Sequence, residues 1–286
     1  MHNKRLFIVI GTAMSLLLSP AAFANFTVFE AAGENPAAIT PTRDAFRASV
    51  GGGTVAGANG SFGGLRREIN WDGVPNAFSD PNAMPANFFN VNSPRGAVFS
   101  TPGTGFLVSA NAGGSTPILF GFPNDFQAFS AQKLFSAVNS TITDVQFFLP
   151  GTLTPSTTSA FGLVFVDVEA AETTRLDFFD LQDNLIFSRT ALIGGNQGLS
   201  FLGGVANAGE MIARVRITSG ANTLVSNGVL VNPNDDIVVM DDFLYAEPLA
   251  IGAVPEPQSY ALMLAGLGLV GWVARRRKRV QRPNCT

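Results

Sequence analysis

Histidine and cysteine are almost missing from this chain of 286 residues, because its single histidine is His2 and its single cysteine is Cys285. The sequence between them therefore has no residues for a disulfide scaffold or a Cys/His zinc site. The same absence excludes Ser-His-Asp and Cys-His catalytic machinery. Charged residues are also scarce, at 14% of the chain, whereas there are 25 phenylalanines and 30 glycines. A disordered chain would lack these aromatic residues, so the composition favours a folded, secreted β-protein.

The first 24 residues have the pattern of a secretory signal peptide. Lys4 and Arg5 form a positive segment, which is followed by an apolar stretch over residues 6–18. Ala22 and Ala24 are the small residues that a signal peptidase requires before its cleavage point. We therefore predict cleavage before residue 25. The alternative is a short N-terminal membrane anchor that is retained.

The last part of the chain has three elements in a fixed order. Pro255, Glu256 and Pro257 precede an uncharged stretch over residues 258–274. That stretch would form about 25 Å of helix, which is at the short limit for crossing a bilayer. Five cations follow that stretch, namely Arg275, Arg276, Arg277, Lys278 and Arg279. They are predicted to stop transfer of the chain across the membrane and to stay cytoplasmic. The sequence thus predicts a single C-terminal transmembrane helix. The alternative is a buried core helix with a solvated basic tail.

Residues 254–279 combine a Val-Pro-Glu-Pro motif, a short Gly-rich hydrophobic span and a terminal Arg cluster. This combination resembles the PEP-CTERM sorting signal of Gram-negative bacteria. The resemblance implies recognition by an exosortase, a membrane-embedded cysteine protease-like enzyme. It also implies a transient inner-membrane anchor, and then sorting to the cell surface or the exopolysaccharide matrix. Pro255 and Pro257 keep this segment extended, as a protease cleft requires. Residues 25–253 are left as the exported body.

The exported body is acidic, although the whole chain has a formal net charge of only −3. Residues 25–253 contain ten cations and 20 acidic residues, a net charge of about −10. Such a body is repelled by nucleic acid and by anionic lipid head groups. We therefore expect no nucleic-acid partner.

The body is predicted to be all-β after one helix. A short apolar start precedes a helix with Thr40 as its N-cap, Pro41 at its first position and Gly51 at its end. A flexible Gly-rich loop over residues 51–64 and a Pro-rich loop region over residues 76–94 follow. Short apolar runs between turn residues then predict ten strands, at 97–100, 105–109, 133–138, 143–149, 160–168, 174–180, 184–189, 199–202, 211–218 and 236–245. This spacing is typical of a single all-β sandwich or barrel.

Residues 161–245 further resemble the jelly-roll bodies that PEP-CTERM proteins often carry, so the expected fold is a jelly-roll-like β-sandwich ectodomain. Two aspartate pairs flank its last strand, namely Asp235 with Asp236 and Asp241 with Asp242. Calcium requires six to eight oxygen ligands. The arrangement resembles that of jelly-roll binding domains, which often place an aspartate of the final strand in a structural calcium site. The four aspartates are therefore a candidate structural Ca²⁺ site. The alternative is solvated strand ends or hydrogen-bonded structural aspartates. No other cofactor is predicted.

Trp71 is the candidate ligand-binding residue, because an aromatic face beside polar groups can serve as a platform for a sugar. The alternative is a buried tryptophan followed by a turn at Asp72 and Gly73. Asp167 and Glu169 could serve a glycosidase, but a chance pair is expected among 21 acidic residues. The sequence thus predicts a non-enzymatic surface or matrix protein. The alternative is a carbohydrate-binding module or a polysaccharide-active hydrolase on the same fold.

Overall fold

The structure is a computed structural model that describes residues 25–111, 119–225, 229–230 and 236–251. In these ranges the regular secondary structure is mostly β-strand, which confirms the predicted all-β class. Two α-helices are present in the described ranges, α1 at Pro36–Val50 and α2 at Phe88–Val91. The strands are β1 Phe26–Gly33, β2 Ser61–Phe62, β3 Arg66–Ile69, β4 Ala97–Ser100, β5 Gly105–Val108, β6 Phe135–Val138, β7 Ile142–Phe148, β8 Pro155–Thr157, β9 Ala160–Val166, β10 Arg175–Phe179, β11 Leu185–Thr190, β12 Leu199–Ala206, β13 Arg214–Thr218, β14 Leu224–Val225, β15 Val229–Leu230, β16 Val239–Ala246 and β17 Leu249–Ala250.

The strands form two sheets. The first sheet has the order β1-β12-β9-β16-β6-β14-β15, with β3 added to β16, β2 to β3, and β5 to β6. The second has the order β11-β10-β13-β7-β8-β17, with β4 added to β7. The long strands pair antiparallel, as β12 does with both β1 and β9. Strands β10 and β11 form a hairpin, because they pair antiparallel across residues 180–184.

The two sheets pack face to face through aromatic rings. The Phe147 ring of the second sheet lies 6.2 Å from that of Phe161 and 5.6 Å from that of Tyr245, both on the first sheet. Phe178 of the second sheet also contacts Phe161, at 6.4 Å. These rings are fully buried, and each contributes up to about 3 kcal/mol of hydrophobic stabilisation. The body is therefore a β-sandwich with a phenylalanine-rich core.

The first sheet is buried on its other face as well. Helix α1 packs there, with the Phe46 ring 5.6 Å from that of Phe201. The segment over residues 119–129 covers more of the same face through Phe120 and Phe126. As a result all seven residues of β9 are buried, as expected for a central strand whose residues are apolar on both faces.

The predicted elements differ from the structure mainly at their boundaries. All ten predicted strands are present, but β1, with eight residues, was missed, as were several strands of two to four residues. Helix α1 begins five residues before the predicted Pro41: Asn35 is its N-cap and Pro36 its first residue, and Pro41 lies inside it. The Gly-rich loop is tied to the body, because buried Arg66 donates hydrogen bonds to the carbonyl groups of Gly51 and Gly53.

Candidate functional site

Asp241 and Asp242 lie side by side on β16, at a break in its pairing. The register between β16 and β9 shifts between Met240 and Phe243, so the two aspartates form a bulge within the first sheet. Their side chains are almost completely buried, at 0% and 5% exposure. Bulges re-aim side chains, and this one places two carboxyl groups next to each other inside the body.

Asp241 is a structural anchor for the segment that covers the first sheet. Its Oδ2 accepts hydrogen bonds from the backbone N–H groups of Phe129, at 2.6 Å, and Ser130, at 3.1 Å. Its Oδ1 accepts a third from the Ser130 hydroxyl, at 3.0 Å. Burial, assisted by the neighbouring Asp242 carboxyl, raises the pKa of Asp241 well above 3.8. Both oxygens are therefore already occupied by protein groups.

Asp236 binds a different part of the body. Its Oδ1 accepts a hydrogen bond from the backbone N–H of Glu169, at 2.9 Å, and its Oδ2 accepts one from the Thr173 hydroxyl. Asp235 lies outside the described residues. Within the described ranges, no group of three or more histidine, cysteine, aspartate or glutamate residues is placed to hold a metal ion. For Asp236 and Asp241 the geometry thus favours hydrogen-bonded structural aspartates over calcium ligands.

Trp71 is buried at 1% exposure. Its ring stacks on that of Phe135, with centroids 4.0 Å apart and planes 1° apart. Its Nε1–H donates a hydrogen bond to the carbonyl of Asp241, at 3.0 Å. A ring packed in this way has no face for a sugar, so the structure favours the buried tryptophan over the sugar platform. The expected turn at Asp72 and Gly73 is present, because the Val74 N–H donates a hydrogen bond to the Trp71 carbonyl at 2.9 Å. The Asp72 Oδ1 connects this turn to a distant segment, as it accepts hydrogen bonds from the backbone N–H groups of Gln132 and Lys133.

A polar cleft of about 550 Å³, which we call the arginine cleft, lies between α1, the Gly-rich loop and the edge of the first sheet. Sequence analysis missed it, because its residues come from five separate parts of the chain. The signal in the sequence is weak: five of the ten basic residues of the body lie between residues 43 and 95. The charged and polar side chains of its lining are Arg43, Arg47, Asn59, Glu68, Asn70, Arg95, Ser130 and Asp242.

The charges of the arginine cleft are only partly paired. Glu68 accepts hydrogen bonds from Arg47, at 2.8 Å and 2.5 Å, and from Arg66, at 2.7 Å. The Asp242 Oδ1 and the Arg95 Nε, in contrast, have no hydrogen-bond partner among the described residues. The nearest cation of the cleft to Asp242 is Arg43, whose Nη1 is 3.7 Å from Oδ2. The cleft thus combines three guanidinium groups, two carboxyl groups and an unpaired buried acceptor.

Burial also changes the acidity of these groups. It raises the pKa of Asp242 to about 6, an effect that nearby Arg43 and Arg47 oppose. It lowers the pKa of Arg43 and of Arg95, since a charged guanidinium loses hydration there. Arg43 stacks over the Phe129 ring at 4.8 Å, and Arg95 over that of Phe89 at 5.0 Å. These aromatic contacts hold the guanidinium groups in place at the cleft.

Asp167 and Glu169, the carboxylate pair considered for a glycosidase, lie in the loop after β9. Asp167 is buried at 5% exposure, and its Oδ1 accepts a hydrogen bond from the backbone N–H of Gln197, at 2.8 Å. Burial raises its pKa to about 7, and the charges of Glu169, Asp125 and Asp236 add to the effect. The hydrogen bond between Asp167 and Gln197 thus connects the loop after β9 to the residues just before β12.

The predicted sorting and export segments lie outside the described residues. These are the signal peptide over residues 1–24, the motif Pro255, Glu256 and Pro257, the apolar stretch 258–274 and the basic residues 275–279. Across residues 25–111, 119–225, 229–230 and 236–251, no helix has the length and apolar character to span a membrane.

Comparison with solved structures gives only weak similarity. A search of curated proteins finds no match. Among solved structures, the C-terminal family 22 carbohydrate binding module of Clostridium thermocellum Xyn10B is similar, with 14% sequence identity and a TM-score of 0.29. The match covers 67% of this chain and 97% of that module. At this TM-score the similarity carries no functional argument.

The family comparison is informative for the end of the chain. The PEP-CTERM protein-sorting motif matches residues 253–278. The match includes Pro255, Glu256, Pro257, the apolar stretch and the basic residues up to Lys278. This motif implies an exported protein that is sorted to the cell surface and processed by an exosortase-type enzyme. The resemblance predicted from the sequence is confirmed: residues 253–278 of the chain form a PEP-CTERM protein-sorting motif, which matches that of an exosortase substrate.

Proposed function

We propose that this protein is a non-enzymatic component of the cell surface or of the exopolysaccharide matrix. The observation that carries this proposal is the sorting motif at residues 253–278. Signal peptidase removes residues 1–24 on export, and residues 258–274 then hold the protein in the inner membrane. The exosortase-type enzyme acts at Pro255, Glu256 and Pro257 and releases a jelly-roll-like body to the exterior.

The chemistry of the body supports a non-enzymatic role. The sequence has no histidine after His2, so general acid–base catalysis would depend on carboxyl groups. Asp241, Asp236 and Asp167 each accept hydrogen bonds from backbone N–H groups that fix a loop. Glu68 is held by two arginines. These carboxyl groups serve the architecture of the body.

Mass spectrometry of the C-terminus tests the sorting role. The full chain would be expressed in a host with the processing enzyme and in the same host without it. We expect a chain that has lost residues 275–279 only when the enzyme is present, and an intact chain for Glu256→Ala in both hosts. Glu34→Ala, an exposed substitution in the body, is the matched control and should be processed normally. An intact basic cluster in the host with the enzyme would contradict processing and indicate a permanent anchor.

A carbohydrate-binding role is the second candidate, and the arginine cleft favours it. A sugar presents hydroxyl donors to the unpaired Asp242 Oδ1 and acceptors to Arg43 and Arg95. Titration calorimetry with a panel of neutral and acidic glycans tests this role. We expect Asp242→Asn and Arg43→Ala to abolish the heat of binding and Arg189→Ala, remote from the cleft, to retain it. Reducing ends released from the same glycans would instead indicate a polysaccharide-active hydrolase.

A further inference from the structure

Both segments that are predicted to enter the membrane join the body at the same end. Asn25, the first residue after the predicted signal peptide, accepts a hydrogen bond from the Asn207 N–H at 2.9 Å, just past the end of β12. At the other terminus, Leu249 of β17 lines a cleft of about 340 Å³ together with Val205 and Ala206, which end β12. The start of β1 and the end of β17 therefore lie beside the same end of β12.

The connection from the body to the sorting motif is very short. The described chain reaches Ile251, and the motif begins at residue 253. Even a fully extended chain spans at most about 25 Å over the seven residues from Ile251 to residue 258, where the stretch that is predicted to cross the membrane begins. The body therefore stays within about 25 Å of that stretch.

Exposed aliphatic side chains gather at this end, which we call the exit end. Leu249 is 66% exposed and Ile251 is 37% exposed. Leu65, at 56% exposure, shares the cleft of Leu249, and its carbonyl accepts a hydrogen bond from the Glu247 N–H. Leu153, at 85% exposure, is in the turn that leads into β8, the partner of β17. Single exposed aliphatic residues are ordinary, but three leucines and an isoleucine around one chain exit form an apolar surface.

Acidic groups lie at both ends of the body. At the exit end, Arg67 and Glu247 neutralise each other, with Nη2 and Oε1 at 2.6 Å. Glu210 also lies there, and its Oε1 accepts a hydrogen bond from the Asn25 N–H at 2.6 Å. Strand β9 leads from this end to the far end, where Asp167, Glu169 and Asp236 lie close together. The exit end therefore differs from the far end in its exposed aliphatic side chains.

We propose that the exit end, with Leu65, Leu153, Leu249 and Ile251, lies on the surface of the lipid bilayer before the protein is processed. The proposal rests on the proposed function in one respect, the insertion of residues 258–274. Aliphatic side chains are stabilised when they enter the boundary between head groups and acyl chains. The connection keeps them within about 25 Å of the inserted segment, so docking requires little further loss of translational freedom. The far end then points away from the membrane.

Fluorescence quenching by lipid tests this orientation. The full chain, with Cys285→Ser, would carry a single labelled cysteine from Leu153→Cys or from Ile193→Cys. Ile193 is the matched control, because it is also exposed, at 52%, but lies by the start of β12. Seven residue steps along β12 place that position about 23 Å from the exit end. In phosphatidylcholine vesicles with nitroxide-labelled lipid, we expect the label at 153 to be quenched several-fold more than the label at 193.

Each outcome has a distinct meaning. Flotation with the vesicles reports membrane insertion of the tail independently of quenching, and thermal unfolding reports the fold of each variant. Proteins that float but show equal quenching at the two positions would overturn the orientation and leave the sorting role intact. Proteins that do not float would overturn the membrane anchor, and the orientation with it. Stronger quenching at 153 only when the processing enzyme is in the vesicles would assign the surface to that enzyme and overturn lipid docking.

Discussion

At the scale of single residues, the environment of Trp71 is set by distant parts of the chain. The sequence leaves two alternatives for it, an exposed sugar platform and a buried ring. Its stacking partner Phe135 is 64 residues away, and its hydrogen-bond acceptor Asp241 is 170 residues away. No local pattern reports such contacts, so only the three-dimensional structure decides between the alternatives. The arginine cleft could not be predicted for the same reason.

Removal of the Trp71 ring should strongly destabilise the body. We expect Trp71→Ala to lower the free energy of unfolding by about 3–5 kcal/mol, because it leaves a cavity beside Phe135. Trp71→Phe should cost about 1–3 kcal/mol, since it leaves the buried Asp241 carbonyl without its donor. Urea unfolding measures both values. Leu153→Ala, on the surface, should change stability by less than about 0.5 kcal/mol.

Buried carboxyl groups should make the body more stable in mild acid than at neutral pH. Asp167 has a pKa of about 7 and Asp242 one of about 6, both raised from 3.8. Between pH 4 and 7 the folded protein therefore binds more protons than the unfolded chain, and its stability falls as the pH rises. The slope is at most about 1.4 kcal/mol per pH unit for each group.

Urea unfolding at pH 5, 6, 7 and 8 checks this dependence. Asp167→Asn should flatten the slope, while its amide oxygen can still accept the hydrogen bond from Gln197. Asp180→Asn is the control, because the pKa of Asp180 is lowered and it titrates below this range. A slope that is unchanged in Asp167→Asn would show that this carboxyl group is ionised throughout.

At the scale of elements, the longer strands could be predicted from their apolar runs, whereas the shortest strands could not. The ten predicted strands have apolar runs between turn residues, whereas β8 and β17 have only three and two residues. The start of α1 was misplaced because the same signal occurs twice. Asn35 with Pro36 and Thr40 with Pro41 both look like an N-cap followed by proline. The first pair is used because it adds Ile39, which is fully buried against the first sheet.

The packing of α1 on the first sheet depends on a glycine in β12. A Cβ at Gly203 would lie 2.9 Å from two atoms of the Phe46 ring, so α1 would have to shift. We expect Gly203→Ala to lower the free energy of unfolding by about 1–3 kcal/mol. Gly73→Ala is the control, because a Cβ there meets no atom within 4 Å, and it should be neutral or stabilise by up to about 1 kcal/mol. Equal stability of the two variants would show that α1 tolerates the methyl group.

At the scale of the whole molecule, composition and spacing predicted the all-β class but not the order of the strands. The centre of the first sheet brings together β1, β12, β9 and β16, which are far apart in the sequence. Hydrophobic alternation identifies strands but does not encode which strands pair. The covering of the first sheet by α1 and residues 119–129 was likewise not predicted.

Calcium should not stabilise the body. The oxygens of Asp236 and Asp241 already accept hydrogen bonds from Glu169, Phe129 and Ser130. A bound ion would have to replace those contacts. We therefore expect the melting temperature to be the same with millimolar calcium and with a chelator, as measured by calorimetry. A rise in calcium that Asp236→Asn abolishes would restore the structural-ion hypothesis.

The attachment of the tail through β17 has a mechanical consequence. Force that pulls on the tail reaches the body through β17, which pairs over only two residues with the three-residue strand β8. Strand β16, immediately before it, is buried along its whole length between neighbouring strands. Tension would thus separate β17 from β8 first and lengthen the connection to the tail by a few residues. Strand β16 would stay paired with its neighbours, so the β-sandwich would remain folded.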